Sequence, residues 1–148
     1  MKEFNVILYT ASTRRYAEAI NEVLGIEKLP ILARENCSKI DKIFLKDLRN
    51  LIGLDLDKCL IVDNMITSFC LSRDIGIPIK SFVEDKEDRE LEFLLEKLLN
   101  FNRKKYEKSK VFVEVEFGLR EFYAFLESKI VKNVPNRRSA SISTIRYT

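Results

Sequence analysis

Apolar residues in this chain gather in short runs closed by polar turns. Residues 4–9 (FNVILY) form the first run, and Thr10-Ala11-Ser12 ends it. That pattern reads as a buried strand and a turn. Ser12 or Thr13 stands where a helix cap belongs. The apolar positions that follow, Tyr16, Ala17, Ile20, Val23 and Leu24, have the three-four spacing of one helical face, with Gly25 as the stop. Residues 31–33 read as a second strand, 46–52 as a short helix ended by Gly53, 59–62 as a buried strand running into Asp63-Asn64, and 66–71 as a short helix. Ile77-Pro78-Ile79 is a short strand, and its proline favours a sheet edge. Residues 87–101 give the clearest helix, with Leu91, Leu94, Leu95 and Leu98 on one face and Asp85 or Asp88 at its start.

Strands that alternate with helices predict an α/β fold with a mostly parallel sheet. In such sheets, sites form at the carboxyl ends of strands. Thr10 and Asp63-Asn64 both stand there. The last third reads differently. Residues 111–117 alternate Val or Phe with Glu, as an amphipathic strand would, and 119–130 has a helical pattern. Residues 135–148 are rich in Ser, Thr and Arg and read as a flexible tail. Within it, Arg138 stands three residues before Ser141, a weak match to a basophilic kinase site. The expected division is a core over 1–101, an extension over 102–134 and the tail.

Composition narrows the chemistry. The chain has 148 residues, 46% hydrophobic and 33% charged, with a net charge of +3, which suits one folded domain. There is no long basic face of the kind nucleic acid requires. The densest cluster, Arg103-Lys104-Lys105 with Lys108 and Lys110, reads as a solvated linker. No apolar run approaches the roughly 20 residues that span a bilayer. Cys37, Cys59 and Cys70 form no CxxC pair and read as reduced, buried thiols. With no histidine, the chain has no Ser-His-Asp triad, Cys-His dyad or histidine-ligated zinc. None of the cysteines has an arginine six residues on, as a cysteine-phosphatase loop requires. Carboxylates, a lysine and hydroxyls remain.

Four segments carry those groups in order: VILYTAS at 6–12, KDL at 46–48, LIVDN at 60–64 and GIPIKSFVEDKEDREL at 76–91. Singly, Thr10 reads as a turn hydroxyl and Lys46 as a surface lysine. Together with TASTRRYAEA at 10–19, LARENC at 32–37 and LKDL at 45–48, they resemble the phosphatase domain of the C-terminal-domain phosphatase family. This family includes the NLI-interacting-factor-like and Dullard-like proteins, within the haloacid dehalogenase superfamily. The resemblance runs from Val6 to about Phe101. It implies a Rossmannoid parallel sheet and a magnesium-dependent protein serine/threonine phosphatase in which an aspartate attacks phosphorus. By that resemblance, Thr10 hydrogen-bonds the phosphoryl oxygens and Lys46 neutralises the transferring group. Asp63 and Asn64 hold magnesium, and Ser12, Tyr16 and Arg34 line the substrate side. The substrate is then a phosphoprotein, and the compartment intracellular, nuclear or cytoplasmic. Arg14 and Arg15, in the first turn of the first helix, oppose its dipole and fit a nearby anion.

The family's DxDx(T/V) motif, which supplies the nucleophile, stands well upstream of VILYTAS. Here five residues precede Val6. The sheet is therefore expected to be incomplete, the chain inactive alone, and the gap filled by a missing segment, a partner strand, self-association or insertion of 111–117. Asp55-Leu56-Asp57 imitates the motif but precedes its strand, whereas a nucleophile belongs at the carboxyl end. Met65 replaces the Ser that often follows the metal motif. The alternative reading is a pseudophosphatase that binds partners, as a mitochondrial translocase subunit of the family does.

Overall fold

In the computed structural model, residues 4–26 and 28–124 are described. Strand β1 (Leu8–Tyr9) leads into helix α1 (Arg14–Val23), and β2 (Ile31–Leu32) returns to pair with β1 in parallel. The Leu8 N–H donates to Pro30 O (2.9 Å) and the Thr10 N–H to Leu32 O (2.8 Å), so the ladder extends to Thr10. A hairpin follows, β3 (Ser38–Ile40) with β4 (Ile43–Leu45), turning at Asp41 with φ 53°. Strand β5 (Ile61–Asp63) pairs in parallel with β6 (Gly76–Pro78). The fold is mixed α/β with small parallel sheets. Among the described residues each sheet has two strands, so β1 and β5 each keep an unpaired edge.

The core beneath these strands is Leu48, Ile61, Phe69 and Ile75, with Tyr9, Leu51, Leu56, Cys59 and Ile66 packed against it. Elements from both parallel pairs thus border one apolar centre. The expected helix over 46–52 shrinks to a 3-10 turn at Leu48–Asn50, where the Asp47 carboxylate accepts the Arg49 N–H (3.2 Å) and diverts the backbone. The helix expected over 66–71 is instead a run of 3-10 turns, Ile66–Ile75, broken at Phe69 and Ser72. Those kinks let Phe69 reach the core, where its ring lies against Gly76.

Helix α1 corrects the expected core face. Ala17 and Asn21 are its buried residues, while Tyr16, Ile20, Val23 and Leu24 face solvent, Val23 at 81% exposure. Alanine permits a close approach to β2, and the larger apolar stripe is left outside. Thr13 occupies the cap position without a side-chain cap bond; Gly25, at φ 66°, ends the helix. Helix α2 (Glu90–Arg103) is rotated from the expected face: Leu94 and Leu98 are half-buried, Phe101 is buried, and Leu91 and Leu95 are exposed.

The expected strand over 111–117 is a helix, α3 (Ser109–Phe117). Ser109, Phe112, Val113 and half-buried Glu116 share one face at helical spacing. Phe112 packs edge-on to Phe101 (5.2 Å between ring centres), Tyr106 (5.3 Å) and Phe117 (5.8 Å). Glu116 accepts from Asn100 (3.2 Å), Lys104 (2.7 Å) and Tyr106 (2.7 Å). A strand would turn alternate residues away from these partners. β-propensity spans only about 1 kcal/mol, which this packing outweighs. The basic cluster near α3 is therefore paired rather than merely solvated: Lys104 with Glu116, Lys108 with Asp57 (3.0 Å) and Lys110 with Asp74 (2.8 Å).

The described residues up to Phe117 form one compact unit, and those from Gly118 belong to a second, in which 119–124 is helical. The remainder of the expected helix over 119–130, the expected tail and Ser141 lie outside the described residues. No helix among the described residues is long and apolar enough to cross a membrane.

Candidate functional site

The candidate groups stand at strand carboxyl ends, Thr10 after β1 and Asp63-Asn64 at the end of β5. Thr10 directly follows β1. Its Oγ1 accepts the Ser12 N–H (3.1 Å), closing a turn typical of a small hydroxyl residue. The Ser12 carbonyl accepts the Arg34 N–H (2.9 Å), and Arg34 Nε donates to the Ala11 carbonyl (2.8 Å). The guanidinium also lies over the Phe44 ring, 5.1 Å from its centre. Ser12 and Arg34 are thus joined to the Thr10 turn. Tyr16 lies one turn into α1 and is exposed.

Asp63 is the last residue of β5 and is buried. Its Oδ1 accepts the Met65 N–H (2.7 Å), and its Oδ2 accepts from Lys46 Nζ. Both side chains are withdrawn from water, Lys46 at 14% exposure and Asp63 at 7%. The Lys46 N–H donates to the Ser68 carbonyl (2.6 Å), which fixes the lysine at the end of β4. Asn64 is exposed, and its Nδ2 donates to Ser81 Oγ (2.9 Å). The Ile79 N–H donates to the Asp63 carbonyl (3.1 Å), carrying the β5–β6 ladder past Pro78.

Tyr9 and Cys37 border the Thr10 turn and were not singled out from sequence as site residues. Cys37 Sγ is 3.7 Å from the Thr10 carbonyl, and the Tyr9 hydroxyl donates to Asn36 O (2.7 Å). Burial, with the neighbouring Cys37, pushes the Tyr9 phenol up to about 12. Burial also pushes the Cys37 thiol up, against the opposing pull of the Tyr9 hydrogen bond and the Lys46 charge. Both shifts favour the neutral forms of the two groups. The only signal in sequence was their position: Tyr9 immediately before Thr10, and Cys37 closing LARENC.

Several expectations change here. Arg14 is not left facing an unbalanced dipole: it pairs with Glu35 (2.6 Å) and reaches the Ile31 carbonyl (3.4 Å). Cys37 and Cys59 are half-buried, but Cys70 is exposed. Asp55 accepts the Asp57 N–H (3.0 Å) and caps the turn at Leu56–Lys58, while Asp57 pairs with Lys108. These are structural tasks. Asp63 and Asn64 offer hard oxygen donors of the type magnesium prefers. Among the described residues, no three acidic, cysteine or histidine side chains cluster to hold an ion unaided. The donors fit such an ion in kind and fall short of it in number.

Thr10 presents a hydroxyl, Lys46 an ammonium group, and Asp63 and Asn64 oxygens of the kind a divalent cation takes. The sequence model of the NLI interacting factor-like phosphatases matches residues 1–111. The chain is similar to CTD small phosphatase-like protein 3 of Caenorhabditis elegans, 39% identical over 93 residues, which cover 61% of this chain and 32% of that protein. It is 41% identical over 90 residues to CTD small phosphatase-like protein 2 of Dictyostelium discoideum, covering 60% and 16%. It is 34% identical over 91 residues to human carboxy-terminal domain RNA polymerase II polypeptide A small phosphatase 2, covering 60% and 33%. The matched stretch is thus a third or less of these relatives' own length. With the family model matching three quarters of its length, the chain belongs to the NLI interacting factor-like phosphatase family.

Proposed function

We propose that this chain forms the phosphoryl-binding side of a magnesium-dependent protein serine/threonine phosphatase domain of the haloacid dehalogenase type. The observation that carries the reading is the buried Lys46–Asp63 pair at the carboxyl end of β5. Withdrawing a cation and a carboxylate from water is costly, and such pairs are concentrated where chemistry needs them. Thr10 Oγ1 accepts the Ser12 N–H, a bond that leaves its own proton for donation to a phosphoryl oxygen. Lys46 supplies positive charge against the transferring group. Ser12, Arg34 and Tyr16 face the substrate. Asp63 and Asn64 hold magnesium, whose charge neutralises phosphoryl oxygens when it is bound. Waters and oxygens from outside the described residues complete its shell.

The nucleophilic carboxylate, in this reading, comes from a strand outside the described residues. The unpaired edges of β1 and β5 support that placement, since an open edge invites pairing. The substrate class is a phosphoserine or phosphothreonine protein, in a nuclear or cytoplasmic setting. A second reading, a non-catalytic partner-binding module, is favoured by one observation: both Asp63 oxygens are already engaged.

Aryl phosphate hydrolysis separates the readings. The 148-residue chain with magnesium is expected to be inactive, and a fusion to a segment carrying the family's DxDx(T/V) motif active. Asp63→Ala should abolish the fusion's turnover. A folded fusion without turnover favours the binding module. Turnover by the chain alone, lost in Asp63→Ala, refutes an external nucleophile and makes Asp55 the suspect.

A further inference from the structure

Asp63 has a partner on each carboxylate oxygen, and the two partners differ in kind. Oδ1 accepts the Met65 N–H (2.7 Å), a backbone bond built into the turn that follows β5. The Ser68 N–H donates to the Met65 carbonyl (2.9 Å) and holds that turn. Oδ2 accepts from Lys46 Nζ, at the tip of a flexible four-carbon stem. The lysine backbone is anchored separately, its N–H on the Ser68 carbonyl (2.6 Å), so the ammonium can let go of Oδ2 while the end of β4 stays in place. One carboxylate charge balances one ammonium. A divalent cation on the same carboxylate would meet that ammonium where both side chains are nearly dry and like charges repel strongly. The two cations therefore compete for Asp63.

We infer that Lys46 is an exchangeable occupant of the cation position on Asp63. Its ammonium holds the carboxylate, gives way to a divalent cation, and is thereby released to meet a phosphoryl group. The inference rests on the proposed function and adds an order to it: the charge that faces the phosphoryl oxygens comes free only once Asp63 has another cation. Lys46 also lowers the apparent affinity of the chain for the ion, since only molecules with Oδ2 released can take it. The engagement of both Asp63 oxygens is then a closed position of the site, with one partner fixed and the other displaceable.

Calorimetric titration of the full chain with magnesium tests this, alongside nitrogen NMR spectra of its lysine ammonium groups. Lys46→Gln keeps a hydrogen-bond donor and removes the charge. It should bind magnesium about tenfold more tightly than the wild-type chain, the factor for an ammonium that holds Oδ2 about nine-tenths of the time. In the wild-type chain the Lys46 ammonium signal, slow to exchange with water because the group is buried, should shift and exchange faster as magnesium saturates. That readout needs no variant to fold. Asp63→Asn should abolish magnesium binding. Equal or weaker binding by Lys46→Gln, or an unmoved ammonium signal at saturation, overturns the exchange and leaves the proposed function standing. No binding by either chain, or binding that survives Asp63→Asn, overturns Asp63 as the magnesium ligand, and with it both the proposed function and the exchange.

Discussion

Replacing Lys46 by Met removes one charge from a buried pair and keeps most of the unbranched side chain. Asp63 is then left nearly dry, with the Met65 N–H as its remaining partner. Breaking a buried pair from one side costs about 3–5 kcal/mol. The surviving N–H bond to Oδ1 places this case near the lower end, at about 3 kcal/mol. That is a large share of the roughly 5–15 kcal/mol available to a domain. With a urea slope of about 1–3 kcal/mol per molar, the unfolding midpoint should fall by about 1–3 M. Lys46→Met/Asp63→Asn removes both charges and keeps an acceptor for the Met65 N–H, so it should cost far less, about 1 kcal/mol. Magnesium should raise the midpoint of Lys46→Met, because a bare carboxylate welcomes a cation, and should leave the double variant unmoved. Urea unfolding followed by circular dichroism reads all three. If the single variant is as mild as the double, the pair behaves like a surface contact and the argument from its burial fails.

Two further predictions test the frame around the site. Gly76→Ala drives a methyl group into the fully buried Phe69 ring, so it should lower stability by about 1–3 kcal/mol in urea unfolding; an unchanged midpoint would mean that Phe69 yields freely. Hydrogen bonds from Lys104 and Tyr106 hold the Glu116 carboxyl down at about 2, below its ordinary 4.5. The folded state binds that proton more weakly than the unfolded state, so the stabilisation is present above 4.5 and lost as pH falls towards 2. Melting temperature should therefore decline less steeply across that window in Glu116→Gln than in the wild-type chain, and parallel declines would refute the role of Glu116.

What the sequence by itself determined is the local chemistry. The run ending at Thr10 and the run ending at Asp63 were legible as strands because each is too short for a buried helix and too apolar for a surface loop. Excluding histidine and cysteine chemistry required only a reading of the residue types. Thr10, Lys46, Asp63 and Asn64 could be selected because four weak motifs occur in one order. Tertiary structure decided which side chains meet. It sent the larger apolar stripe of α1 outward and buried the face that carries Ala17 and Asn21. It made a helix of 109–117, because Phe112 and Glu116 find partners only at helical spacing. It joined Lys46 to Asp63 across seventeen residues, and brought Cys37 to the Thr10 carbonyl. Local patterns record which backbone a segment prefers. Burial, pairing of charges and access to a ligand depend on residues far apart in the chain, and only the folded arrangement sets them.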